Sequence, residues 1–112
     1  MPSEGDRPAL CTIRDTILLA VSFVGDLDEA CFAKDRKTVF AVVRCLEIVS
    51  EASRRLGDDL ISRWPQIPWA QIAGAGNIYR HEYDNVLESY VWATVRYSLP
   101  PLLNVAVSEL GD

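Results

Sequence analysis

The single histidine of the chain, His81, sits in the run Gly74-Ala75-Gly76-Asn77-Ile78-Tyr79-Arg80-His81-Glu82-Tyr83-Asp84. Within this short stretch glycine, amide, guanidinium, imidazole and phenol groups come together. An imidazole exchanges a proton near neutral pH, and a guanidinium holds a phosphate through forked donors. Arg80 with His81 is therefore a minimal set for metal-free phosphodiester cleavage that uses the 2′-hydroxyl of RNA. The same pair also reads as structural, the histidine capping a helix end and the arginine pairing with Glu82 or Asp84. On a helix Asn77 and His81 share a face, Arg80 lies about 100° around it, and Tyr83 follows at its carboxyl end. Gly74 and Gly76 each disfavour a helix by about 1 kcal/mol against alanine. Keeping both suggests close approach by a ligand or by another backbone, as at a helix crossing. One histidine without ordered carboxylates around it supplies too few ligands for a metal site. No phosphate-cradling glycine loop and no local Ser-His-Asp signature is present.

These residues need helices to position them. Leu10, Ile13, Ile17, Val21 and Val24 recur at intervals of three and four, which predicts a helix over Pro8–Val24 that Gly25-Asp26 ends or bends. A polar connector from Asp28 to Asp35 leads to a second stripe, Val39, Val42, Val43, Leu46, Val49 and Ala52, expected to run on past Gly57 towards Leu60 and Trp64. Its opposite face, with Arg36, Arg44, Glu47, Glu51, Arg54 and Arg55, reads as solvated surface, the glutamates pairing with arginines at helical spacing. Trp64-Pro65-Gln66-Ile67-Pro68-Trp69 reads as a turn, with Pro68 opening a third helix that ends near His81. Asp84 and Asn85 compete to cap a fourth helix, which carries Val86, Tyr90, Val91 and Val95 and which Pro100-Pro101 breaks. Leu102, Val105, Ala106 and Leu110 mark a short last helix. The fold expected is all-α, an up-and-down bundle of four to five helices. Trp64, Trp69 and Trp92 are expected to fill helix junctions, and Tyr79 and Tyr90 to be core or interface aromatics.

With 112 residues, 49% hydrophobic and 24% charged, the sequence suits one soluble domain spanning 1–112, small enough that a homodimer would help to bury apolar surface. A net charge of −5 argues against electrostatic coating of nucleic acid, DNA included, so any nucleic-acid role needs a local cleft. The amino terminus lacks the order of a signal peptide and no run suffices for a membrane span, so a cytoplasmic protein is expected. Cys11, Cys31 and Cys45 are odd in number and without Cys-x-x-Cys, and read as small buried hydrophobes.

Taken together the chain resembles the HepT-like toxins of the HEPN superfamily from about Arg14 to Leu110. The resemblance rests on Arg44-Cys45-Leu46-Glu47-Ile48-Val49-Ser50-Glu51-Ala52, Pro65-Gln66-Ile67-Pro68-Trp69, Ile72-Ala73-Gly74, His81-Glu82-Tyr83, Val91-Trp92 and Leu99-Pro100-Pro101-Leu102, in that order. It implies a HEPN-like bundle that dimerises with the motif helices facing each other. It implies the toxin of a type II toxin–antitoxin pair, a metal-independent endoribonuclease acting on RNA, by family analogy tRNA, and needing no cofactor. It implies His81 as acid–base group, Asn77 and a cation as substrate contacts, and a minimal nucleotidyltransferase antitoxin of the MntA kind that adenylylates Tyr83. The family has an arginine where this sequence has Gly76. Arg80, one turn later, is long enough to reach back as its replacement. The alternative is a HEPN domain that has lost cleavage and retains binding of nucleotide, RNA or antitoxin.

Overall fold

The computed structural model describes residues 2–81 and 85–111, with the backbone alone at 78–81 and 85–87. Its elements are α1 (Asp6–Val24), α2 (Glu29–Lys34), α3 (Arg36–Ser53), α4 (Asp58–Arg63), α5 (Trp69–His81), α6 (Asn85–Ala93) and α7 (Leu99–Leu110), with a π-helical turn, Thr94–Ser98, joining α6 to α7. The fold is all-α, with no strand among the described residues. α1 packs along α3 and α7, and α3 carries α5 on its other side.

The apolar stripes explain this packing. Leu10, Ile13 and Ile17 of α1, Val42 and Val49 of α3, and Leu102 and Val105 of α7 are almost fully buried in one core, each removing about 2 kcal/mol worth of apolar surface from water. Val21 was expected on the α1 stripe but is exposed; Ala20, one residue earlier, takes the inward position. The three tryptophans do sit half-buried at junctions. The Trp64 indole donates to Glu109 Oε2 (2.7 Å), that of Trp69 to the Trp64 carbonyl (3.0 Å), and that of Trp92 to the Leu27 carbonyl (3.4 Å).

Between α1 and α4 the helix boundaries differ from the sequence reading for local reasons. The polar connector contains a short helix, α2, because Asp28 caps it by accepting the Cys31 N–H (2.8 Å) and Phe32 anchors it in the core. Asp35 repeats the device for α3 through the Thr38 N–H (3.1 Å). The second helix does not continue past Gly57. It ends at Ser53, the N–H groups of Arg54, Arg55 and Leu56 fold back three residues, and the extended Gly57 gives its N–H to the buried Asp6 Oδ1 (2.9 Å). The described part of α6 opens at Asn85, and the competing cap Asp84 lies outside the described residues, so the cap choice made from sequence falls outside them too.

The prolines at 100 and 101 do not break the chain's helical path. They lack the N–H groups that would bond the carbonyls of Arg96 and Tyr97, and the ladder widens instead. Leu99 N–H reaches back five residues to the Thr94 carbonyl, giving the π-helical turn, and the prolines then sit in the first turn of α7. Among the cysteines only Cys45 is fully buried. Cys11 is half-buried and Cys31 lies on the solvent side of α2, so the buried reading fails for Cys31.

Candidate functional site

The motif run lies on α5, and α3 holds that helix by its backbone. Ser50 Oγ donates to the Ala73 carbonyl (3.1 Å) and accepts the Gly76 N–H (3.2 Å). Arg54 donates to the same Ala73 carbonyl through Nε (2.8 Å) and Nη2 (2.6 Å), while its Nη1 lies 3.4 Å from Glu51 Oε2. Charge-assisted donors of this kind are the stronger class of hydrogen bond. Arg54 is thus exposed and paired with Glu51, as its place on the polar face of α3 suggested, but it also ties α5 to α3. Its only sequence signal was its spacing of four from Ser50. The other pairing on that face is looser, Arg44 lying 3.9 Å from Glu47.

The two glycines separate on the structure. Gly76 is buried beside Ser50. Gly74 is exposed, and a methyl group added there would meet nothing within 4 Å. Within the chain, close approach by a neighbouring element is seen at Gly76, while Gly74 opens onto a cavity. Asn77 is exposed on α5. Arg80 and His81 lie on α5 and are described in backbone only, and Tyr83 falls outside the described residues. Helical spacing puts His81 two turns after Gly74, on the same stripe.

That stripe borders a cleft. α5, the π-helical turn, α7 and α3 enclose a cavity of about 450 Å³ whose floor is Leu46, Val49, Ile67, Ile72, Leu99 and Leu102. An adjoining cavity shares Gln71, Tyr90, Thr94, Tyr97 and Ser98 with it and reaches Gly74. Tyr90, expected in the core or an interface, is 45% exposed on this wall, and Tyr97 is 70% exposed. The Tyr79 side chain is not among those described. The sequence reading missed Tyr97, Thr94 and Gln71, because the π-helical turn that aims the first two carries no periodic signal.

Neither shifted thiol is suited to nucleophilic work. The Asp28 carboxylate beside Cys31 pushes its thiol up, and burial pushes that of Cys45 up, so both stay protonated at neutral pH. No described helix is long and apolar enough to cross a membrane.

Comparison with known proteins agrees with this arrangement. Residues 13–108 match the family model described as HepT-like, Ribonuclease HepT-like. A Thermococcus cleftensis protein named "Probable ribonuclease HepT" is 36% identical over 90 residues, covering 80% of this chain and 82% of its own. Two proteins named "Putative RNase" are similar over more of the chain. That of Methanocaldococcus jannaschii is 32% identical across 91% of this chain and 88% of its own, and that of Caldanaerobacter subterraneus 35% identical across 86% of each. No solved structure matches the chain at a significant level. The family model covers most of the chain, and the relatives match it over most of its length: the chain belongs to the HepT-like ribonuclease family.

Proposed function

We propose that this protein is the toxin of a type II toxin–antitoxin pair, a metal-independent endoribonuclease whose substrate is RNA, in particular tRNA. Its cleft forms where the α5 ends of two copies meet. What supports this reading is the place of the lone histidine, on a helix whose backbone is pinned to α3, in a chain of a ribonuclease family.

In the dimer two copies of His81 face one phosphodiester. One imidazole takes the 2′-hydroxyl proton as that oxygen attacks phosphorus. The bond from phosphorus to the 5′-oxygen breaks, and the second, protonated imidazole returns a proton to the leaving oxygen. Arg80 supplies the cation that Gly76 lacks and stabilises the developing phosphate charge, and Asn77 holds the substrate. Adenylylation of Tyr83 by a minimal nucleotidyltransferase antitoxin adds phosphate charge beside the cleft and repels RNA.

The test is incubation of the purified protein with total tRNA in EDTA. Fragments ending in 2′,3′-cyclic phosphate are expected from the wild type and not from His81→Ala, and an RNA with a 2′-deoxy residue at the cleavage site should resist. Silence from the wild type would remove the enzyme reading. One observation favours a second reading, a domain that binds without cutting: Gly76 occupies the motif arginine position and is buried. Retained RNA or antitoxin binding with no product under any condition would establish it.

A further inference from the structure

We infer that the cleft between α5 and the π-helical turn is a nucleobase-binding subsite, which takes one unstacked base of the RNA next to the cleaved bond. This rests on the ribonuclease reading for its purpose, but the binding site itself does not depend on cleavage.

The chemistry of the lining selects the ligand. No described residue of either cavity carries a charge. The cleft therefore has nothing to hold a phosphate, and it fits the uncharged part of a nucleotide. Its volume of about 450 Å³ lies in the range of small-molecule sites, and its floor is aliphatic. Two tyrosines stand on its wall, and single-stranded RNA is recognised chiefly by stacking unpaired bases on such rings and bonding their edges. The edge partners are present: Gln71 offers an amide with two donors and an acceptor, and Ser98 offers a hydroxyl.

Tyr97 is well suited to receive a base. It is 70% exposed, yet its ring is set edge-on against Trp92, with centroids 6.4 Å apart and planes at 81°. Trp92 is itself tied to the Leu27 carbonyl. A large aromatic held this way near open solvent gives contact area with little side-chain freedom to lose. The phosphates on either side of the base would lie outside the cleft; the cation next to Tyr97 in sequence is Arg96, whose guanidinium sits 5.3 Å over the same Trp92 ring. The wider π-helical turn, which holds Thr94, Tyr97 and Ser98, lies between Tyr90 and Leu99 on one cavity wall, in keeping with the frequent use of such turns at functional sites.

The experiment is titration of the isotope-labelled full chain with adenosine, guanosine, cytidine and uridine, followed by amide NMR, with inorganic phosphate as control. At least one nucleoside is expected to shift the backbone amides of Gln71, Thr94 and Ser98, and phosphate is not. Tyr97→Ala should weaken that binding about tenfold, while Tyr97→Trp should restore it, as base stacking on an aromatic ring requires. Absence of shifts with all four nucleosides at millimolar concentration would overturn the inference. So would Tyr97→Ala lowering self-association and leaving nucleoside binding intact, since the cleft would then belong to a second copy of the chain. The two readings fail separately: nucleosides that bind a protein unable to cut tRNA leave the subsite standing, and tRNA cut by a protein that ignores nucleosides leaves only the nuclease.

Discussion

On the side of α5 that meets α3, the helix is fixed at backbone level: three donor atoms converge on the Ala73 carbonyl, and Gly76 is buried against Ser50. On the side that meets the π-helical turn the same helix is open. Gly74 faces empty space, and the neighbouring Tyr90 and Tyr97 are 45% and 70% exposed. Successive turns of one helix thus serve as a rigid mount and as the wall of a cleft. A reacting group must hold its geometry without being enclosed by the residues that hold it. Mounting α5 through its backbone on one side leaves the other free for a substrate.

The largest effect should come from the open side. His81→Ala is expected to lower tRNA cleavage by about 100-fold or more, the usual share of a positioned acid–base group. Its thermal midpoint should stay close to that of the wild type, which separates lost chemistry from lost fold. If His81→Ala cuts at the wild-type rate, chemistry and cleft are unconnected and the contrast between the two sides has no functional meaning.

On the mounted side the effects should appear as stability. Ser50→Ala leaves the Gly76 N–H and the Ala73 carbonyl without that hydroxyl at a largely buried contact, and should destabilise the fold by about 1–2 kcal/mol in urea titration. Arg54→Ala removes the charged donors to the same carbonyl from a partly exposed side chain and should lose less, about 1 kcal/mol. Arg54→Lys should recover only part of it, because a single ammonium cannot reproduce the two-atom fork. Equal stability of all three proteins would show that α5 is held by its apolar contacts alone.

A second mount, distant in sequence, can be separated from the first by pH. The Arg63 guanidinium and the Trp64 indole bonded to Glu109 hold its carboxyl below the usual carboxylate range. A depressed folded-state pKa stabilises at neutral pH, where the carboxylate is ionised folded or unfolded. That contribution is lost as the pH falls from the ordinary value, about 4, through the lower folded one. Thermal midpoints should therefore fall on acidification below about pH 4, and Glu109→Gln should flatten the decline. An unchanged acid limb in Glu109→Gln would assign the decline to other carboxylates.

The glycines test the comparison most directly, because the same substitution should change sign. Gly74→Ala adds a methyl group in open space on a helix and should stabilise by up to about 1 kcal/mol. Gly76→Ala gains the same propensity but must place its methyl group in the buried contact with α3, and should be neutral or destabilising. Matching gains at both positions would mean that α3 and α5 have room to spare. This pair also shows what could be read in advance. The helices α1, α3 and α7 were legible because each buries a stripe of spacing three and four, and His81 stood out as the only imidazole. Gly74 and Gly76 looked alike because a sequence does not say which side of a helix meets a neighbour. The tie from Arg54 to α5 could not be read because its partner is a backbone carbonyl, and backbone acceptors leave no trace in residue identity. The Tyr97 wall was hidden because it depends on a ladder shift that Pro100 and Pro101 impose from beyond it.

The smallest effect concerns the rim of the open side. Arg96 is exposed and rests on Trp92, so Arg96→Ala should leave the fold unchanged within about 0.5 kcal/mol. If the cleft takes a base and the phosphates lie outside it, this variant should bind nucleosides as the wild type does and bind a short single-stranded RNA a few-fold more weakly. The slope of log affinity against log salt should also fall by about one phosphate contact, roughly 0.7 for a single strand. Tyr97→Ala should do the reverse, weakening both ligands at an unchanged salt slope. A salt slope that responds to Tyr97 and not to Arg96 would place the phosphate path elsewhere, because only a charged contact releases counterions when the RNA arrives.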